Sequence, residues 1–168
     1  MPPIKNSSGT FEIREPGQIE PLFSIDLTKK KNEWGVEYNL PGGISFIGAS
    51  ANKIFVDKLA VISGEAVLER IKDVYDMYLL SHLNGFVFSI LQKIKEQTKR
   101  KYYEFDGFLH EKNIMEQQYE TLRDVINPPT FNVVYGRVRD FCMPFIINPD
   151  VPDCEWYVAE QKWIAKSL

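Results

Sequence analysis

The stretch Ile44-Ser45-Phe46-Ile47-Gly48-Ala49-Ser50-Ala51-Asn52-Lys53-Ile54-Phe55-Val56-Asp57-Lys58-Leu59-Ala60-Val61-Ile62 decides the fold, because its pattern changes from strand to helix part-way along. Ile44 to Ile47 reads as a short strand. From Ala51 the apolar residues cover most of a helical surface, and Ser50 stands where an N-cap belongs. Upstream of this switch, Leu22 to Leu27 and Trp34 to Tyr38 repeat with a period of about two. They flank the charged turn Lys29-Lys30-Lys31-Asn32, and the break Pro41-Gly42-Gly43 follows. Three strands in a meander are expected here, with helices packed on one face, because so few strands are unstable without a covering layer. Downstream, Gly64 is a stop before a helix expected over 65–82, and further helices are expected over 86–99, 109–126 and 130–141. Asn127-Pro128-Pro129 ends the third of these, and Pro144 stands near the end of the last. The tail from Trp156 to Trp163 is either a short helix or a wrapping strand. Strands first and helices afterwards predict an α+β fold: a small antiparallel or mixed sheet near the amino terminus, then a layer of about five helices. Residues 1–20 read as an irregular arm with one edge strand at Thr10 to Ile13, and 21–168 as a single domain.

A length of 168 residues is enough to close a hydrophobic core, and a 44% hydrophobic, 26% charged balance is that of a folded chain, not a disordered one. Two cysteines and two histidines exclude a disulfide framework and make a poor zinc site, which points to a reducing, cytoplasmic setting. A net charge of −3 argues against coating nucleic acid by bulk charge and leaves room for a local basic patch. No apolar run approaches the ~18 to 20 residues of a membrane helix, and the first residues have no apolar signal core.

Chemistry concentrates between Lys53 and Leu80. Ile54, Lys58 and Ile62 stack along one side of the first helix, so Lys58 projects from within an apolar arc. It either snorkels its ammonium into water or holds it for a phosphate. In the second helix Ile71, Val74, Tyr75 and Tyr78 make the apolar stripe, while Lys72, Asp73 and Asp76 share the other side. With Arg70 they form a compact mixed-charge cluster, which reads either as a solvated face with helical ion pairs or as a carboxylate and cation site.

The run from Lys58 to Leu80, with Arg70 and then Lys72-Asp73-Val74-Tyr75-Asp76, resembles the carboxyl-terminal motifs of AbiEii/AbiGii-type nucleotidyltransferases. These are toxin components of type IV toxin–antitoxin and abortive-infection systems. The strand Phe23-Ser24-Ile25-Asp26-Leu27 is similar to the one that carries a late carboxylate in that family. Phe141-Cys142-Met143-Pro144, followed by Glu155-Trp156 and Trp163, resembles its closing helix and tail. The resemblance implies Mg²⁺-dependent transfer of a nucleoside monophosphate from a nucleoside triphosphate to RNA, in particular tRNA. It implies a catalytic role for Lys58, Asp73 and Asp26, with Asp26 as metal ligand, and nucleotide binding by Arg70, Lys72 and Asp76. An antitoxin protein is the implied partner. The family's Gly-Ser loop and Asp-x-Asp pair do not occur before Asp26. The chain therefore resembles the later part of such an enzyme, truncated or deficient in catalysis, because a lone Asp26 does not readily hold two metals. The other reading is a non-catalytic binding domain or remnant that contacts a protein partner or RNA, and a third is a globular domain that merely shares a charged helix.

A second basic feature is the run Lys93, Lys95, Lys99, Arg100 and Lys101 beside Tyr102 and Tyr103. It either meets an RNA backbone, with aromatic rings for stacking, or is a solvated helix end. Trp156 and Trp163, seven residues apart, fall on one side of a helix and read as packing residues.

Overall fold

The computed structural model describes residues 8–13, 23–28, 35–41, 43–122, 127–147 and 152–166. The chain forms two compact units, 1–35 and 36–168. The architecture is α+β, with the first strands preceding the helices.

In the first unit, β1 (Ser8–Ile13) pairs antiparallel with β2 (Phe23–Thr28), setting Thr10 opposite Asp26 and Phe11 opposite Ile25. The expected arm thus contains a full strand. The expected meander divides among the described residues: β2 takes β1 as its neighbour, while β3 (Gly35–Leu40) pairs with β4 (Ile44–Ala49). Of the two connections in the expected meander, the Pro41 to Gly43 break is the one that joins strands paired among the described residues. Gly43 adopts φ +79°, a left-handed turn conformation that glycine reaches without a Cβ clash. Across β3 and β4, the Tyr38 and Phe46 rings stack at 5.3 Å, and Tyr38 donates its hydroxyl to Ala49 O.

The second unit is mostly helical. Helix α1 (Ala51–Ile62) begins at Ser50, whose hydroxyl accepts the Lys53 N–H at 3.2 Å, as the cap pattern predicts. The helix expected over 65–82 is broken. A 3₁₀ turn occupies Glu65–Leu68 and closes with Glu69 N–H on Ala66 O; Arg70 then leaves the helical region, and α2 runs from Ile71 to Leu80. Helix α3 covers Phe88–Gln97. The helix expected from 109 is likewise two, α4 (Asp106–His110) and α5 (Lys112–Tyr119), with the turn at Glu111; residues 123–126 of that expectation lie outside the described residues. Phe105 starts α4 from a left-handed backbone, φ +65°, because its ring is buried and its N–H is donated to Ser63 O. Gly107 of α4 lies beside the 3₁₀ turn, where a Cβ would make ordinary contact with Glu65 Cα at 3.6 Å.

Helix α6 (Phe131–Ile147) carries Pro144 inside it and does not end near Phe141 as expected. Proline cannot donate to the preceding turn and crowds its carbonyls. The Phe141 carbonyl there accepts the Trp163 indole N–H at 3.0 Å. The tail is a hairpin, β5 (Cys154–Tyr157) and β6 (Lys162–Ala165), with Trp156 directly opposite Trp163. The two tryptophans pack as expected, but as a cross-strand pair and not on a helix.

The core sits where α1, α3, α6 and the tail hairpin meet. Phe55, Phe86, Phe141 and Trp156 are essentially fully buried, with ring centroids 4.8 to 5.7 Å apart. Burying each such side chain contributes roughly 1.5–3 kcal/mol. This cluster holds one side of α1 in place, while Asp57 and Lys58 on α1 remain near the surface.

Candidate functional site

Lys58 rises from α1 toward α2. Its ammonium donates to Asp73 Oδ1 and, at 2.6 Å, to Asp76 Oδ2. The i, i+3 spacing of the two aspartates puts both carboxylates on one helical face, so one ammonium reaches both. Asp73 is 3% exposed, which places it toward α1 and away from the solvated side of α2. It lies in the first turn of α2, where a negative charge is favoured by the helix dipole. Arg70, just before the helix, brings Nε to 2.7 Å from Asp73 Oδ2, at an angle that makes an ion pair but not a hydrogen bond.

Asp57, the neighbour of Lys58 on α1, extends the network. Lys53 donates to its Oδ2 at 2.6 Å from one turn earlier. Arg100, beyond α3, brings Nε to 2.8 Å from Oδ1, again without hydrogen-bonding geometry. Three carboxylates are thus surrounded by four cations drawn from three parts of the chain. Burial works to lower the pKa of Lys58, but the hydrogen bonds and charges of Asp73 and Asp76 together outweigh it and leave the pKa above the ordinary lysine value. A cavity of about 280 Å³ opens beside this network, lined by Ile54, Asp57, Lys58, Val61, Arg70 and Arg100.

Lys58, Asp73, Asp76 and Arg70 are brought together. Lys72 is not: it is exposed and makes no ion pair among the described residues, and Asp76 is paired with Lys58. Asp26 lies in β2 of the first unit, and its side chain is outside the described residues. The basic run divides. Lys95 is half-buried, with its ammonium 5.0 Å from the Tyr102 ring centroid and 6.0 Å from that of Phe145, and burial lowers its pKa. Arg100 belongs to the cavity, and Lys93, Lys99 and Lys101 are exposed. The part Arg100 plays with Asp57 was missed, because forty-three residues separate them and no local spacing links them.

The Lys58 ammonium sits between Asp73 Oδ1 and Asp76 Oδ2. Among the described residues no group of three or more His, Cys, Asp or Glu side chains is arranged to hold a metal. Asp73 and Asp76, as placed, serve an ammonium and do not by themselves fit Mg²⁺. Among the described residues, no helix is long and apolar enough to cross a membrane. No family model, curated protein or solved structure matches the chain.

Proposed function

We propose that the chain is a nucleotidyltransferase-like protein of the AbiEii/AbiGii type, cytoplasmic and deficient in transfer by itself, in which Lys58 binds and orients a nucleotide phosphate. The observation that supports this is the meeting of Lys58 and Asp73, fifteen residues apart and on different helices, two residues to which the resemblance gives one site. Asp73 and Asp76 keep the ammonium charged and fix its direction, and Arg70 adds a second cation beside Asp73. The implied acceptor is tRNA. A second reading is a non-catalytic domain that binds RNA or a protein partner such as an antitoxin. It is favoured by one observation: Asp73 and Asp76 already share the Lys58 ammonium.

Incubation with labelled nucleoside triphosphates, Mg²⁺ and total tRNA, together with equilibrium nucleotide binding, separates the two. The first reading expects nucleotide binding that falls at least tenfold in Lys58→Ala, and any label transfer to disappear in Lys58→Ala and in Asp73→Asn. Transfer that survives both changes together removes catalysis from this pair. Wild-type protein that neither binds nucleotide nor transfers label leaves the partner-binding reading.

A further inference from the structure

Arg70 and Arg100 come from segments thirty residues apart, yet both line the cavity beside Lys58. Each is tied to its aspartate through Nε, at 2.7 Å for Arg70 with Asp73 and 2.8 Å for Arg100 with Asp57. Neither contact has the geometry of a hydrogen bond, so Asp73 Oδ2 and Asp57 Oδ1 remain buried without a hydrogen-bond donor. Among the described residues, the terminal nitrogens of both guanidinium groups also lack a hydrogen-bond acceptor. A guanidinium presents several N–H donors in a flat fork that matches the oxygens of a phosphate, and two such forks on one cavity can grip one from two sides. Their side chains are 58% and 46% exposed, so the forks reach solvent and a ligand reaches them. Lys58 adds a third cation to the wall, with its ammonium already committed to Asp73 and Asp76.

We infer that this cavity is a phosphate-binding subsite in which Arg70 and Arg100 supply the donors, while Asp73 and Asp57 hold the two guanidinium groups in place when it is empty. The ligand is a phosphate carried by a free nucleotide or by a nucleic acid. The loose ion pairs make the site exchangeable: a phosphate offers each fork the hydrogen-bonding geometry that the aspartate denies it. Asp57 and Asp73 stay behind as carboxylates, Asp57 with Lys53 and Asp73 with Lys58, so entry of an anion strands neither charge. This assignment lies on the same face as the proposed transfer site but requires no transfer, and it rests on the arginines where that reading rests on Lys58.

Binding is measured by calorimetry on the full chain, without Mg²⁺, using inorganic tripolyphosphate, ATP and a 5′-phosphorylated single-stranded RNA of about a dozen nucleotides. Wild type is expected to bind at least one of these, more weakly as salt is raised. Arg100→Gln and Arg70→Gln are each expected to lose tenfold or more in affinity, and Arg100→Lys about threefold, since it keeps the charge and loses the fork. The exposed Lys93→Gln is expected to stay within about twofold of wild type. Thermal melts confirm that each variant is folded, and the two arginine variants serve as independent checks. Tripolyphosphate and ATP bound alike assign the site to free nucleotide phosphate; RNA bound without tripolyphosphate assigns it to nucleic-acid phosphate. No binding of any probe at millimolar concentration, or full affinity in both folded arginine variants, overturns the inference. Affinity that depends on Lys58 but on neither arginine removes this subsite and leaves the proposed function standing, whereas arginine-dependent binding with no Lys58 dependence does the reverse.

Discussion

Lys58 and Asp73 form an ion pair with unequal burial: 22% of the lysine side chain is exposed against 4% of the aspartate. The two partners therefore differ in what is lost with them. Lys58→Met leaves a buried carboxylate with only the poorly aligned Arg70, and a second carboxylate three residues on. We expect it to cost about 3 kcal/mol, the low end for breaking a buried pair, because water reaches part of the site. Asp73→Asn leaves an ammonium that still has Asp76, and is expected to cost about 1 kcal/mol. Urea unfolding of both variants checks the order; equal losses would mean that the pair shares its burial evenly.

The same lysine predicts a pH dependence with a definite sign. Desolvation pulls its pKa down, and its bonds to Asp73 and Asp76 push it further up, so the folded value lies above the ordinary 10.5. The lysine's contribution is then complete below about 10.5 and is lost as pH rises through the folded value. The stability gap between wild type and Lys58→Met should hold steady from about pH 7 to 9 and close only in more alkaline solution. A gap that closes between those two values would contradict the raised pKa.

What could be read from the sequence, and what could not, follows from the range of each interaction. Ser50 and the apolar arc after it specify α1 locally, and the outcome matches. Whether a helix continues past Leu68 depends on how Val67 and Arg70 meet other elements, and neither residue is a breaker by type. Strand pairing is longer in range still: β2 alternates correctly, yet nothing within it favours β1 over β3. In the candidate site, the shared face of Asp73 and Asp76 and the place of Lys58 within an apolar arc are visible as spacing, and the resemblance joined Lys58 to Asp73. Lys72 and Arg100 were assigned by their neighbours in sequence, whereas their surroundings are set by burial on α2 and by Asp57 on α1.

Neither thiol should behave as a reactive cysteine. Cys142 is wholly buried and burial pushes its pKa up; Cys154 is 3% exposed, and burial raises its pKa with help from the charge of Asp153. A thiolate is the reactive form, so both are protected by access and by protonation. A disulfide-exchange reagent at about pH 8 should label neither in the folded protein and both in guanidinium. Rapid labelling of one thiol under native conditions would show that its segment opens far more easily than the packing implies.

The carbonyl of Ser81, at the end of α2, accepts the Trp156 indole N–H at 2.8 Å and an Arg137 N–H at 2.9 Å. Arg137 also donates Nε to the Ser81 hydroxyl at 2.6 Å, so α6 and β5 are both fastened to the close of α2. Trp156→Phe keeps an aromatic ring but loses one bond and some volume, for an expected cost of about 2 kcal/mol. Arg137→Met removes two charge-assisted bonds and should cost roughly 2–3 kcal/mol. The costs should not add, because each single change leaves the other donor on the shared carbonyl and only the double change strips it of both. The double variant should lose about 0.5 kcal/mol or more beyond the sum, measured by denaturant unfolding in a double-mutant cycle. Simple additivity would mean that the two donors do not act on one acceptor, and that α6 and β5 are fixed to α2 independently.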